Sequence, residues 1–339
     1  MMSPMPIKLE KGAVLLLVLW LIVAMSLLGL SFSRSIRVEV TAARNVVDQK
    51  VGYYLARAGI EYAVFRILQT QSAFSLTRQR QEQGLDQEVP DVLAGETSIQ
   101  LPNGSADVEV IEETGKINLN APLGETYSNM IYNLLIMVGM DPVEADSITD
   151  SIIDWRDEDD FTSPNGAESD YYQGLEKPYL AKNGFFDVSD ELLLVQGITP
   201  EIYYGRKGTT EDGQRIEYFG LQKYFTTFIR TNTINVNSAP LPVLASLPYL
   251  DADMATQIYN LREEMYIQDP SELLARIPGL PTDVAAVLAR TTPNNVYTLI
   301  STGRPDGSNV VTRIRCVVQL GIGPKGYTTL YWNESNTEI

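Results

Sequence analysis

The stretch Lys11-Gly12-Ala13-Val14-Leu15-Leu16-Leu17-Val18-Leu19-Trp20-Leu21-Ile22-Val23-Ala24-Met25-Ser26-Leu27-Leu28-Gly29-Leu30-Ser31-Phe32 decides how the rest of the chain is read. No charge interrupts it between Ala13 and Phe32. At about 1.5 Å of rise per residue, such a helix spans roughly 30 Å, the thickness of a hydrocarbon core. A helix on a soluble domain keeps a polar face, and this run has none. It belongs in a membrane, or in protein surroundings equally apolar. A cleaved secretory signal fits poorly, because such cores are usually about 7–15 residues with small residues at the cut. Here Ser31-Phe32-Ser33-Arg34 puts an aromatic ring and a charge at that place. Two readings remain. One is an uncleaved signal anchor. The other is a short polar leader, residues 1–12, removed between Gly12 and Ala13, where Gly lets the backbone extend into a peptidase site.

The helical pattern continues past the run. No Pro occurs from Ser33 to Leu68. Val38, Ala42, Val46, Tyr53, Ala56, Ile60, Val64 and Ile67 recur at helical spacing and make one apolar stripe, with Arg34, Arg37, Arg44, Lys50, Arg57 and Arg66 on other faces. A spine helix is expected over 13–72. Gln-rich residues 69–95 are expected to end it and form a loop. Alternating residues 97–101 and 106–112 then read as two strands around a Pro102-Asn103-Gly104-Ser105 turn, in a first sheet segment over 96–114.

An internal repeat follows. Ile117-Asn118-Leu119-Asn120-Ala121-Pro122 returns as Ile234-Asn235-Val236-Asn237-Ser238-Ala239-Pro240. Each copy leads into helical patterns. Each closes on a similar phrase, Ser189-Asp190-Glu191-Leu192-Leu193-Leu194-Val195-Gln196-Gly197 and Ser271-Glu272-Leu273-Leu274-Ala275-Arg276-Ile277-Pro278-Gly279. Two related helical modules, 115–222 and 230–291, are expected, each ending like a helix-hairpin-helix or SAM-like unit. From 295 to 332 strand patterns return. The expected fold class is α+β: a long N-terminal helix and an antiparallel sheet, with a large all-α insertion.

Net charge is −17, which argues against nucleic acid, since phosphates would be repelled. The phosphate-binding use of the hairpin motif is therefore set aside. There is no histidine, which removes His-based catalysis and most zinc chemistry, and the single cysteine, Cys316, allows no internal disulfide. No nucleophile motif or phosphate loop occurs, so no enzymatic activity is expected. Lysines before the apolar run and arginines after it leave the positive-inside bias undecided.

The densest polar group is Asp154-Trp155-Arg156-Asp157-Glu158-Asp159-Asp160 through Glu168 and Asp170, seven carboxylates within seventeen residues. Clustered carboxylates repel unless something neutralises them, and all-oxygen donors suit a hard cation of the calcium kind. A solvated acidic loop is the alternative. The pattern is not an EF-hand, since it lacks Gly at the sixth loop position.

Lys11-Gly12-Ala13 with the run behind it, Ser33-Arg34-Ser35-Ile36-Arg37, Ala56-Arg57-Ala58-Gly59-Ile60-Glu61, the two Asn-x-Asn phrases, Asp154-Trp155-Arg156-Asp157 and Asn165-Gly166-Ala167-Glu168 together resemble the minor pseudopilin K family of type II secretion. The resemblance covers nearly the whole chain. It implies a pilin-like fold and a prepilin leader removed after Gly12, with a methylated amine at Ala13. It implies calcium in the helical insertion, carried here to Asp157, Asp159, Asp160, Glu168 and Asp170. It implies a place at the pseudopilus tip. The expected partners are the I, J and H types of minor pseudopilin, the major pseudopilin, prepilin peptidase and the inner-membrane assembly platform, with the bulk of the chain periplasmic. Leu17, fifth from Ala13, stands where most pilin-like proteins have Glu. It offers no carboxylate to the subunit ahead, which suits a first subunit. The rival is a membrane-anchored periplasmic calcium-binding protein or hydrolase that keeps its anchor.

Overall fold

The structure, a computed structural model, describes residues 11–81, 95–209, 215–218, 220–267, 269–288, 295–323 and 326–334. Residues 1–10 of the expected leader and 82–94 of the expected loop lie outside them. Helix α1 (Lys11–Gln81) is unbroken. It outruns the expected end at residue 72. Eight of the thirteen residues 69–81 are Gln, Arg, Leu or Ala, which are good helix formers, and after Gly59 the first Gly or Pro is Gly84. Gly12 and Ala13 lie in its first turn and are helical, not extended.

The lower half of α1 stands free, with Val14 to Phe32 all exposed, Leu17 and Trp20 among them. The upper half rests on the sheet, but not along the whole expected stripe. Ala56, Ile60, Val64 and Ile67 are buried, together with Leu55 and Ala63, whereas Val38 and Val46 remain exposed because the sheet begins above them. A second stripe runs along the outer side. Ile36, Val40, Ala43, Val47, Tyr54 and Phe65 are exposed. At 100° per residue they share a sector of about 60°, opposite the buried face and continuous with the apolar run below.

Strand β1 (Gly95–Leu101) turns at Asn103 (φ 75°) and Gly104 into β2 (Gly104–Glu112). The helical insertion then begins. It contains β3 (Ile117–Asn118), α2 (Glu125–Met137), α3 (Pro142–Arg156), α4 (Ser169–Gln173), a 3-10 turn (Ser189–Leu194) and α5 (Pro200–Tyr204). A small hairpin of β4 (Arg206–Thr209) and β5 (Arg215–Tyr218) follows, then β6 (Phe225–Thr226), which pairs parallel with β3. These short strands are absent from the sequence expectations. The second copy holds α6 (Leu241–Ser246), α7 (Ala252–Glu264), α8 (Ser271–Arg276) and α9 (Val284–Val287). The chain returns through β7 (Val296–Pro305), β8 (Thr312–Leu320) and β9 (Tyr327–Asn333). The main sheet is antiparallel in the order β1-β2-β7-β8-β9, so the insertion lies between two neighbouring strands, β2 and β7. Val108, Val110, Leu299, Ile314, Cys316 and Val318 form the sheet's half of the core against α1. Burial pushes the Cys316 thiol up to about 12, which keeps it inert.

The repeated phrases do the same work twice. The Asn118 and Asn235 side chains each accept from the backbone N–H two residues on, at 2.9 and 3.0 Å. Asn120 brackets Phe186 through both backbone groups, at 2.9 Å each, and Asn237 brackets Ile267 in the same way. Arg156 donates to Leu119 O at 2.6 Å, and Arg262 to Val236 O at 3.0 Å. Gly197 and Gly279 take left-handed turns, φ 83° and 84°, that no β-carbon-bearing residue adopts cheaply. The closing helices are short, a turn or so each, shorter than a full helix-hairpin-helix.

Candidate metal centre

The site forms where α3 ends and α4 begins. Asp154 lies in the last turn of α3, Asp157 is its C-cap and Glu168 is the N-cap of α4. One carboxylate oxygen from each lies within 4.8 Å of the others. The negative end of the α3 dipole points to the same place and favours a cation there. Trp155, on the opposite side of the turn, packs edge-on against Tyr172 at 5.2 Å, and Tyr172 stacks on Tyr179, which ties α4 to α3.

Glu168 is buried, and neither of its oxygens has a hydrogen-bond partner; one oxygen of Asp157 is likewise buried and unpaired. Burial first, then the charges of Asp154 and Asp157, push the Glu168 carboxyl up to about 7. Burial also raises Asp154 and Asp157. Asp154 accepts from Ser163 N at 3.1 Å, and a β-carbon at Gly166 would overlap its outer oxygen. Three clustered carboxylates with orphaned oxygens and no His or Cys beside them fit a hard, oxygen-seeking cation.

Of the five residues expected as ligands, Asp157 and Glu168 sit together. Asp159, Asp160 and Asp170 lie outside the trio and are exposed. Asp159 accepts from Phe161 N at 2.9 Å, Asp160 accepts from the Asn183 amide at 3.1 Å, and Asp170 lies in the first turn of α4. Asp154 is the member that sequence reading missed. Its signal was present: Asp154 and Asp157 are three apart at a helix end, hence on one face.

The assembly residues lie elsewhere, on α1. Gly12 and Ala13 lie in its first turn, Leu17 lies in its exposed apolar part, and the helix is long and apolar enough to cross a membrane.

Three comparisons bear on these features. Residues 115–205 match the family model described as type II secretion system (T2SS), protein K. The type II secretion system protein K of Aeromonas hydrophila is 31% identical over 156 residues, 43% of this chain and 44% of that protein. The putative type II secretion system protein K of Escherichia coli (strain K12) is 26% identical over 204 residues, 57% of this chain and 60% of that protein. The chain thus spans about half the length of the curated relatives it matches. Among solved structures, a chain of the GspK-GspI-GspJ complex from the enterotoxigenic Escherichia coli type 2 secretion system has a TM-score of 0.56 at 17% identity. The match covers 84% of this chain and 99% of that one. At that identity the likeness is one of fold alone.

Proposed function

We propose that the chain, whose residues 115–205 match the type II secretion system protein K model, works as a minor pseudopilin. Its role is structural, not catalytic: it starts or caps the pseudopilus from the tip. The observation that carries this reading is the outer face of α1. The apolar surface of residues 14–32 continues as Ile36, Val40, Val47, Tyr54 and Phe65 on the side turned away from the sheet. Once the lower half leaves the bilayer, that whole side offers itself to neighbouring apolar helices, where close packing replaces lipid. The I, J and H types of minor pseudopilin and the major pseudopilin are the partners of matching chemistry. The solved relative is itself a complex with GspI and GspJ.

Prepilin peptidase would remove residues 1–12 and leave an amine at Ala13, which is then methylated. Leu17 gives that end no carboxylate to pair with a subunit ahead, so growth proceeds only behind this chain. The bulk would stand in the periplasm above the inner membrane. Calcium would be held by Asp154, Asp157 and Glu168, supplying the positive charge that lets the three carboxylates stay ionised together.

The deciding test is the intact mass of the membrane-extracted chain, made with and without active prepilin peptidase. A chain beginning at Ala13 with one extra methyl, co-purifying with other pseudopilins, is expected. A chain that keeps Met1 to Gly12, or is cut near Ser33, overturns the reading in favour of an anchored calcium-binding protein.

A further inference from the structure

We propose that Asp150 is a positioning residue for the cation site: with Ser147 it clasps the loop 163–168 onto α3 and so sets Glu168 opposite Asp154 and Asp157, without being a ligand itself. The inference rests on the calcium reading above and adds the device that shapes the site. Ser147, Asp150, Asp154 and Asp157 are spaced three, four and three along α3, so they share one face. The loop lies along that face. Asp150 accepts from Asn165 N at 3.1 Å, and Ser147 donates to Asn165 O at 2.9 Å, so both backbone groups of one loop residue are bound. One turn further on, Asp154 accepts from Ser163 N. Gly166 closes the loop through its N–H to Ser163 O at 3.1 Å. A β-carbon there would overlap Asp154 and come within 3.2 Å of the Asp150 backbone.

These bonds set the path of the loop by protein contacts alone, and they end two residues before Glu168. The oxygens left over, both of Glu168 and one of Asp157, are those without a donor. The stripe therefore divides its labour. Ser147 and Asp150 bind backbone, Asp157 and Glu168 face the cation, and Asp154 does both. Three like charges within 4.8 Å push the loop away from the helix, and the clasp opposes that push.

The test uses the full-length chain in detergent micelles, with calcium affinity read by calorimetry and the exchange of the Asn165 amide read in EGTA. Near-UV circular dichroism confirms that each variant is folded. Asp150→Ala should weaken calcium about 10–100-fold, as lost outer-shell partners do, whereas Asp150→Asn should stay within about threefold, because its amide oxygen still accepts from Asn165. Asn165 exchange should quicken in Asp150→Ala but not in Asp150→Asn, and Ser147→Ala should weaken calcium in the same direction as Asp150→Ala. If Asp150→Asn loses as much affinity as Asp150→Ala, the carboxylate acts by charge or ligation and the positioning role is overturned. An unchanged affinity in Asp150→Ala overturns it too. A wild-type chain that takes up no calcium overturns the cation reading itself, a result separate from either variant outcome.

Discussion

At Glu168 the chain buries a carboxylate whose two oxygens meet no donor. Its folded acid form titrates near 7, against 4.5 for an ordinary Glu. A raised value means that its stabilisation of the calcium-free chain is present below about pH 4.5 and is lost as pH climbs through about 7. In EGTA, the melting temperature should therefore fall with pH across that window more steeply in the wild type than in Glu168→Gln. Adding calcium at neutral pH should raise the melting temperature of the wild type and leave Glu168→Gln where it was. Equal slopes and equal calcium responses in a thermal scan would contradict this. Gly166→Ala should abolish the calcium response with every carboxylate intact, since its β-carbon occupies the space of the Asp154 oxygen. Composition pointed to this loop, and Asp157 and Glu168 were legible within it. The split between them and Asp159, Asp160 and Asp170 was not, because it depends on where α3 stops and on which carboxylates the loop folds back upon.

Helix α1 approaches the sheet so closely that a β-carbon has no room at the contact. Gly52 and Gly59 face Gly303 and Ser301 of β7, and a β-carbon on Gly59 would lie 2.5 Å from the Ser301 hydroxyl. On Gly303 it would run into the Gly52 carbonyl, which is backbone and cannot step aside. Gly303→Ala should therefore cost about 1–3 kcal/mol by overpacking, seen as a lower denaturant midpoint for the sheet half. The outer face behaves oppositely. Val47 is 60% exposed, so Val47→Glu should leave the midpoint of the isolated chain nearly unchanged while co-purification with other pseudopilins drops. Wild-type recovery of partners with Glu at this position would remove the outer stripe from the assembly surface. The helix was plain from its lack of Pro and from its apolar run. Which of its two stripes was buried was not, since both Val38–Val46 and Ile36–Val47 satisfy a 3.6-residue period and only the position of the sheet distinguishes them.

On the scale of the whole molecule, an inserted pair of helical modules must be oriented against a sheet that the chain leaves after β2 and re-enters at β7. Polar contacts gather at that junction. Glu113 and Lys116 form a buried ion pair, with Thr298 of β7 donating to Glu113 at 2.7 Å. Burial is the largest single influence on the Glu113 carboxyl and pushes it up, but the Lys116 charge together with hydrogen bonds from Lys116, Thr226 and Thr298 holds it below its usual range. Asp190 accepts from Tyr203 within the insertion, receives Tyr331 of β9 at 3.4 Å and lies 3.9 Å from the Arg315 guanidinium of β8. Asp190→Ala should cost about 1–3 kcal/mol by leaving these donors unpaired, and protease should then cut the segments joining insertion and sheet sooner than in the wild type. Equal cleavage rates would show that the apolar contacts of Phe228, Ile229, Val296 and Val317 suffice to hold the two halves. The sequence by itself determined the membrane-length helix, the repeat, the strand segments of the main sheet and the absence of histidine chemistry. Each of these is carried by residue type and spacing along the chain, which need no third dimension. Only the tertiary structure decided which acidic residues converge, which side of α1 is left for partners, and that β2 and β7 are the two strands that pair across the expected insertion. These depend on contacts between segments far apart in sequence, and periodicity within a segment carries no record of what will lie across from it.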